Sequence, residues 1–128
     1  MAKETLNLVH IKVETFYRDD LSDAEKNSFV YNYKITIENK GRNKVQLLKR
    51  YWKIEHLGQG TSLVSGDGVI GEQPVLSHNE TFTYVSGCQM QAPIGRMSGF
   101  YTFQDVDSEE VFAVKIPPFK LIFPPILN

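Results

Sequence analysis

The sequence has 128 residues, of which 41% are hydrophobic and 23% are charged, and these values are ordinary for one soluble globular domain. Its 14 basic and 15 acidic residues give a net charge of −1, so the chain has no strong field that would attract nucleic acid or an anionic membrane. We therefore expect no nucleic-acid partner. The apolar run from Leu121 to Leu127 is far too short to span a bilayer, so we also expect no membrane insertion.

The cellular compartment is predicted from cysteine usage and from the start of the chain. Cys88 is the only cysteine, so an internal disulfide cannot form. The chain opens without the charged and then apolar pattern of a secretory leader. We therefore predict a cytoplasmic protein in a reducing environment.

Hydrophobic residues recur with a period of two along most of the chain, which predicts half-buried strands. The first predicted strand has Val9, Ile11 and Val13 on one face. In the second, from Phe29 to Ile37, every odd position is apolar. Further sets that share a parity are Leu48, Trp52 and Ile54; Phe82 and Tyr84; Met97, Tyr101 and Phe103; and Phe112, Val114 and Ile116.

Turn residues separate these segments, and only one stretch hints at a helix. The turns are predicted at Asn39-Lys40-Gly41, Gly58-Gln59-Gly60, His78-Asn79-Glu80 and Asp105-Val106-Asp107-Ser108. Ser22-Asp23-Ala24-Glu25 has the spacing of a capping box, in which the Ser22 hydroxyl would accept from the Glu25 N–H. No apolar stripe follows, so we expect one or two helical turns at most.

About seven short strands without intervening helices predict an all-β fold, an antiparallel two-sheet sandwich of the immunoglobulin/fibronectin type III-like kind. Trp52 in a middle strand fits this architecture, and Tyr101 is a candidate tyrosine corner. The lack of a cysteine pair favours the fibronectin-like variant. We assign residues 1–128 to a single domain with a core from about residue 9 to 121 and a short apolar C-terminal tail.

Gly66, Gly68 and Gly71 have the G-x-G-x-x-G spacing of a dinucleotide-binding turn. That turn requires a following helix whose N-terminal amides hold the pyrophosphate. Here Glu72-Gln73-Pro74 follows, so the dinucleotide interpretation fails. Two alternatives remain open: a loop whose amides bind a small anion, and glycines that only shape a long hairpin loop.

Arg50 shares the parity of Trp52 and therefore falls on the predicted core face, where a charge needs a partner. It could anchor a loop through backbone carbonyls or through an acid such as Glu72. The candidate ligand-binding residues are therefore Gly66, Gly68, Gly71 and Arg50.

The remaining polar residues do not form a recognisable catalytic or metal-binding pattern, so we predict no catalytic residues, no metal site, no cofactor and no enzyme activity. His10, His56 and His78 are scattered and lack ligand spacing. The acids around Asp105 are expected to be solvated hairpin residues. Cys88 has no positive neighbour in sequence and is expected to be a small buried hydrophobe.

Five segments together resemble the ApaG family, in order and spacing, from about Val9 to Leu121. These segments are Arg50 to Ile54, Gly66 to Pro74, Tyr84 to Cys88, Pro93 to Tyr101 and Ile116 to Leu121. Two features depart from the family pattern: His78-Asn79-Glu80 stands where a Pro-Gly-Glu turn is usual, and the tail from Ile122 to Asn128 runs past the usual end.

The resemblance implies a fibronectin-like sandwich without a known enzyme activity. It also implies an association with cobalt resistance and magnesium efflux in bacteria. Similar domains in eukaryotic F-box and DNA-polymerase-interacting proteins imply protein binding. We therefore expect an interaction module with a protein partner in divalent cation homeostasis, or alternatively a binder of a small anion or phosphate ligand at the Gly66–Gly71 loop.

The C-terminal tail leaves the oligomeric state open between monomer and homodimer. Five of its seven residues from Leu121 to Leu127 are large and apolar, and soluble monomers seldom expose such a patch. We expect the tail to fold back on its own sandwich rather than to dock on a second subunit.

Overall fold

The structure, a computed structural model, describes residues 8–127 and confirms the predicted all-β, two-sheet antiparallel fold. Three short 3-10 turns lie at Asp19–Leu21, Ala24–Lys26 and Pro124–Leu127. No helix in this part of the chain is long and apolar enough to cross a membrane. The strands are β1 (Val9–Tyr17), β2 (Phe29–Asn39), β3 (Val45–His56), β4 (Gly60–Asp67), β5 (Val75–Leu76), β6 (Thr81–Met90), β7 (Ile94–Asp105) and β8 (Val111–Ile122).

The strands form two antiparallel sheets. The first has the order β1-β2-β6 and the second the order β4-β3-β7-β8, with the two-residue strand β5 paired to the start of β3. The structure has eight strands where about seven were predicted, and the predicted apolar sets include neither β4 nor the short β5. All four predicted turns lie between strands, where the sequence placed them.

The core fills the space between the two sheets, as the period-two pattern predicts. Along β2 every odd position from Phe29 to Ile37 is buried. Trp52 of the second sheet is 3% exposed, and its ring meets the Tyr33 ring of the first sheet edge to face at a centroid distance of 5.5 Å. Trp52 therefore joins the two sheets at the middle of the core.

A β-bulge in β3 corrects one prediction about the core face. Leu47 pairs with Phe103 and Lys49 with Thr102, so Leu48 is an extra residue without a partner in β7. Leu47 is fully buried, whereas Leu48 is only partly buried. The predicted shared face of Leu48 and Trp52 is therefore wrong, because one extra residue reverses the inward parity along a strand.

The link between β1 and β2 contains the expected short helical turns but not the expected cap. The Ala24–Lys26 turn begins after Asp23 without any side-chain cap. The Ser22 hydroxyl instead donates to the Arg18 carbonyl at 2.7 Å and accepts from the Val30 N–H at 2.8 Å. Ser22 therefore ties the link to β2, because a single 3-10 turn offers no stable helix end to cap.

Tyr101 does not form a tyrosine corner. In such a corner the hydroxyl bonds to the backbone a few residues upstream. Here the Tyr101 hydroxyl bonds to the hydroxyl of Tyr84 in the opposite sheet. That prediction was wrong because a buried hydroxyl takes whichever partner lies across the core, and the sequence does not show which one does.

Strand β8 extends to Ile122, further than the alternation of Phe112, Val114 and Ile116 indicated. Ile116 pairs with Gly99 and Phe119 with Met97, so the adjacent residues Pro117 and Pro118 stand at a bulge, where a missing N–H is tolerated. Pairing then resumes, and Leu121 is 1% exposed. The first two residues of the apolar tail, Leu121 and Ile122, therefore belong to β8.

The end of the tail folds back onto the first sheet. The Phe123 ring packs against Tyr17 and Phe29 at centroid distances of 5.4 and 5.1 Å. The Phe123 N–H donates to the Pro93 carbonyl at 2.8 Å. Ile126 and Leu127 stay exposed at 47% and 69%.

The two lateral sides of the sandwich differ. On one side β1 contacts β8, so the two sheets meet there. On the other side the outermost strands are β6 and β4, and no residue of β4 is buried. We call this second side, between β4 and β6, the open side.

Candidate functional site

A cleft of about 470 Å³ enters the sandwich at the open side. Its floor includes Tyr33, Trp52 and Met97 from the core. One wall is β4, with Val64, and the other is β6, with Ser86. The cleft exists because β4 extends past the narrower first sheet, so nothing in the described residues covers its inner face.

Arg50 places a positive charge at this cleft. Its Nη1 donates to the Asp67 carbonyl at 2.9 Å and to the Gly68 carbonyl at 3.0 Å. Among residues 8–127, no carboxylate lies within 4.0 Å of its guanidinium, Glu72 included. Arg50 was predicted to bind either backbone carbonyls or an acid such as Glu72, and the structure shows that it binds backbone carbonyls. Within residues 8–127, the Nε and Nη2 donors of Arg50 have no hydrogen-bond partner.

Gly66 makes room for the guanidinium. Arg50 and Gly66 are paired across β3 and β4, so they share a face. A Cβ added at Gly66 would stand 3.0 Å from both Nη1 and Nη2, closer than almost any real side chain approaches. The absence of a side chain lets Arg50 extend over β4 toward its outer edge.

The rest of the glycine stretch forms a tight hairpin turn rather than a phosphate-binding turn. Gly68 has φ +62°, and a Cβ there would collide with the Glu72 carbonyl oxygen. Val69 and Glu72 exchange backbone hydrogen bonds of 2.8 and 2.9 Å. Ile70 and Gly71 between them have φ of 42° and 79°, the signs of a type I′ turn.

The backbone amides that would form the predicted anion nest are mostly hydrogen-bonded within the protein. The Gly68 N–H donates to the Leu48 carbonyl at 2.8 Å, and the Val69 N–H is used within the turn. The structure brings Arg50, Gly66 and Gly68 together, whereas Gly71 lies exposed at the tip. The assignment of these four residues as ligand-binding stays a prediction, with Arg50 as its strongest member.

Burial favours the neutral forms of two side chains of the cleft, Cys88 and Tyr33. Burial raises the pKa of the Cys88 thiol to about 11. Burial also raises the pKa of the Tyr33 hydroxyl, although Ser86 and the positive charge of Arg50 act in the opposite direction. A thiol with so high a pKa is protonated at neutral pH and is a poor nucleophile, which fits the predicted small buried hydrophobe at Cys88.

The three histidines lie at separate places. His56 lines the cleft, where its Nε2 meets the Ser62 hydroxyl at 3.2 Å and its Nδ1 accepts from the Gln91 N–H. His78 bonds to the Gly41 carbonyl at 2.8 Å, and His10 lies on β1 opposite Glu38. Across residues 8–127, no three His, Cys, Asp or Glu side chains converge into a group that could hold a metal ion.

Asp105 is not the solvated hairpin acid that we expected. It is 6% exposed, accepts from Asn43 at 2.9 Å and accepts from the backbone of Asp107 and Ser108 at 3.0 Å each. These donors, Asn43 first, lower the pKa of the Asp105 carboxyl. The prediction failed because this acid caps its own turn, while the other acids of the cluster are exposed.

Sequence reasoning missed the β4 wall of the cleft. Residues 60–67 have no clear apolar alternation, since both faces of β4 are exposed. The signal that could have found this strand is the Gly58-Gln59-Gly60 turn, because a tight turn after β3 predicts a returning antiparallel strand.

The fold and the cleft define a small antiparallel β-sandwich of the fibronectin type III-like class with an open side at which Arg50 lies. A model of the ApaG domain matches residues 19–105. The chain belongs to the ApaG family, as the resemblance in the sequence predicted.

Curated relatives and a solved structure agree with this assignment. The chain is 40% identical over 124 residues to Protein ApaG of Vibrio cholerae serotype O1, covering 97% of this chain and 98% of the relative. It is 40% identical over all 128 residues to Protein ApaG of Methylobacillus flagellatus, covering 100% of both. The expectation that the tail runs past the family's usual end therefore does not hold for that relative.

Solved structures extend the comparison to the fold. The crystal structure of the ApaA protein from Bordetella pertussis is 34% identical and superimposes with a TM-score of 0.87, over 91% of this chain and 94% of that chain. A protein from Archaeoglobus fulgidus is only 8% identical, with a TM-score of 0.53 over 87% of this chain and 94% of that chain, and shows likeness of fold alone.

Proposed function

We propose that this protein is a non-enzymatic interaction module of the cytoplasm that binds a partner protein and acts in divalent cation homeostasis, in cobalt resistance and magnesium efflux. The family resemblance supports the cellular role. The structure supports the mode of action through one observation: the open side of the sandwich has an uncovered cleft beside an edge strand. Binding at this side is the function that the geometry favours.

The chemistry of the cleft favours binding over catalysis. Cys88 is held as a thiol, with its pKa raised to about 11. The cationic residue of the cleft, Arg50, is of a type that does not act as a general acid or base. Its free N–H donors suit recognition of an acidic group. The side chain of Val64 beside it is 39% exposed and gives a partner side chain an apolar contact.

The experiment compares cells that lack this chain with cells that carry a variant of it. Val64→Lys places a charge on the exposed cleft wall, and Arg96→Gln removes a charge from the outer face of the same sheet as a control. We expect wild type and Arg96→Gln to restore cobalt tolerance and the cellular magnesium content, and Val64→Lys to fail.

Affinity capture with quantitative mass spectrometry then tests the binding itself. A partner that is held by wild type and Arg96→Gln and released by Val64→Lys would support an interaction module. Unchanged cobalt tolerance in cells without the chain would contradict the role in cation homeostasis. Full restoration by Val64→Lys would contradict binding at the open side.

A second candidate function is binding of a small anion or phosphate ligand by Arg50 at the Gly66–Gly71 loop. The free Nε and Nη2 donors of Arg50 favour it. Titration with inorganic phosphate, followed by NMR of the Arg50 side chain and the loop amides, tests it. Saturable shifts that disappear in Arg50→Gln would support it, and an unchanged spectrum at millimolar phosphate would contradict it.

A further inference from the structure

The outer edge of β4 and the charge of Arg50 stand together at the open side, and the next inference rests on the proposed protein-binding function. We propose that β4 accepts an extended segment of a partner protein as an additional outer strand, and that Arg50 pairs with an acidic side chain of that segment. Addition of a strand to a sheet edge is a common mode of peptide recognition.

β4 lacks the features that normally protect an edge strand. Such edges are blocked by lysines, prolines or bulges. The edge strand at the opposite end of the same sheet, β8, has all three in Lys115, Pro117, Pro118 and Lys120. The eight residues of β4 include no lysine and no proline and pair with β3 without a bulge. The outer edge of β4 pairs with no other strand in residues 8–127. β4 is therefore the edge of this sheet that is open to pairing.

The inner face of β4 leaves room for incoming side chains. Trp52 pairs with Val64 and Ile54 with Ser62, so Val64 and Ser62 face inward with Gly66. These side chains are small, and Val64 is 39% exposed. The inward residues of the opposite wall, Tyr84 and Cys88, are already buried. The free volume of the cleft therefore lies along β4, where alternate side chains of an added strand would enter it.

Arg50 determines which type of side chain the partner segment should carry beside Gly66. Its guanidinium lies over Gly66, with Nη1 and Nη2 each 3.0 Å from where a Cβ of that residue would stand, and Nη1 donates to the Asp67 and Gly68 carbonyls at the end of β4. Nε and Nη2, in contrast, have no hydrogen-bond partner in the part of the chain that the structure describes. A half-buried guanidinium with unused donors is best satisfied by a carboxylate, which forms two parallel charge-assisted hydrogen bonds with it. The residue that pairs beyond Gly66 should therefore be Asp or Glu.

The spacing along β4 predicts a simple motif. Val64 and Gly66 are two residues apart and face the same way. The residue opposite Val64 would enter the cleft above Trp52, so an apolar side chain fits there. The partner segment should therefore have an acidic residue two positions from an apolar residue, in an extended conformation.

The test is selection from a random twelve-residue peptide library displayed on phage, followed by fluorescence anisotropy with the selected peptides. We expect the selected sequences to share the acid and the apolar residue at a spacing of two. Replacing the peptide acid by its amide (Glu→Gln or Asp→Asn) should weaken binding by about ten- to a hundredfold, because a hydrogen bond to a charged group is lost. This change leaves the protein intact, so misfolding cannot explain the result.

Protein variants locate the site. Arg50→Gln should weaken binding as much as the change in the peptide, and the two changes together should cost little more than either alone. Arg96→Gln, which removes a charge from the outer face, should have no effect. Methylation of alternate backbone nitrogens of the peptide should weaken binding only at the positions that pair with β4.

Three results would overturn this inference. Peptides whose affinity is insensitive to both Arg50→Gln and the acid-to-amide change would place binding elsewhere, and the proposed interaction module would still stand. A library that yields no binder would exclude β4 as a peptide site, and the cobalt-tolerance and capture experiments would still decide the proposed function. A concentration-dependent dimer that Val64→Lys disrupts would assign the β4 edge to a second copy of the chain.

Discussion

The hydroxyl groups of Tyr84 and Tyr101 hydrogen-bond to each other in the core and join the two sheets. Tyr84 belongs to β6, and Tyr101 belongs to β7 of the other sheet. Both residues are buried, at 5% and 0% exposure, so neither hydroxyl can turn to bulk water if its partner is lost. The pair therefore helps to fix how the two sheets lie against each other in the core.

Tyr84→Phe should lower the free energy of unfolding by about 1–3 kcal/mol, because it leaves the buried Tyr101 hydroxyl without a partner. Tyr101→Phe should have a similar cost for the same reason. The double variant should cost less than the sum of the two, since no orphaned hydroxyl remains. Urea unfolding of the four proteins measures the coupling, and strictly additive losses would argue against the bond.

Trp52→Ala should lower the free energy of unfolding by about 3–5 kcal/mol, the usual cost of removing a large core aromatic. Trp52 is 3% exposed and contacts the rings of Tyr33, Tyr101 and Phe119. Phe100→Ala is the control, because Phe100 is 39% exposed and should cost much less. Equal urea midpoints for the Trp52 variant and wild type, at equal slope, would contradict a core role.

Cys88 should react slowly with iodoacetamide in the folded protein and quickly in urea. Burial raises the pKa of this thiol to about 11, so at pH 8 only about one molecule in a thousand carries the thiolate. Mass spectrometry of the alkylated protein over time measures the rate. Alkylation at pH 8 as fast in buffer as in urea would contradict the raised pKa.

The same thiol should make the fold less stable in alkali. An unfolded thiol has a pKa of about 8.5, below the folded value of about 11, so the unfolded state releases its proton first as the pH rises. The free energy of unfolding should therefore fall between about pH 9 and 11. Tyr31, with its pKa raised by burial to about 12, acts in the same direction. Cys88→Ala should reduce the slope in urea titrations across this range, and an unchanged slope would contradict the linkage.

ATP and NAD should bind weakly or not at all. The G-x-G-x-x-G stretch connects β4 to β5 through a hairpin turn, so a phosphate there meets no helix N-terminus. Isothermal titration calorimetry with each nucleotide tests this, with Arg50→Gln as the matched variant. Micromolar affinity that is lost in Arg50→Gln would instead support the anion-binding function.

Deletion of residues 122–128 should yield a less stable monomer. The deletion removes the Phe123 ring from Tyr17 and Phe29, so it exposes apolar surface of the first sheet. Light scattering gives the mass in solution, and urea unfolding gives the stability. A dimeric wild type that becomes a stable monomer on deletion would show that the tail serves a subunit contact instead.

Much of the fold could be predicted from the sequence, because the odd positions of β2 are buried, and so are Met97, Tyr101 and Phe103 of β7, which share a parity. The inward direction of Arg50 was also predictable from its shared parity with Trp52. The bulge at Leu48 was not, because an extra residue in a strand leaves no mark on an apolar run such as Leu47-Leu48. The burial of Asp105 was missed because its carboxylate also accepts from Asn43, which is 62 residues away in the chain.

The candidate site was only partly predictable. Arg50 and the glycines could be named as candidates from their residue types and positions. Val64 and Ser62 could not, because nothing in the sequence around them indicates a site. Their role follows from the different widths of the two sheets, which leave β4 uncovered. Sheet width is a property of the whole topology, and a local pattern cannot contain it.

The contrast between β4 and β8 also limits how far this protein can polymerise. An open-ended fibre grows when two different receptive edges of each molecule join head to tail. In the second sheet, the lysines and prolines of β8 prevent another strand from pairing with that edge. Two copies that paired through β4 would instead be related by a twofold axis. The β4 edge of each copy would then be paired and closed to a third molecule. Such an assembly ends at two molecules, so the chain can keep one strand edge exposed without a route to unlimited growth through this sheet.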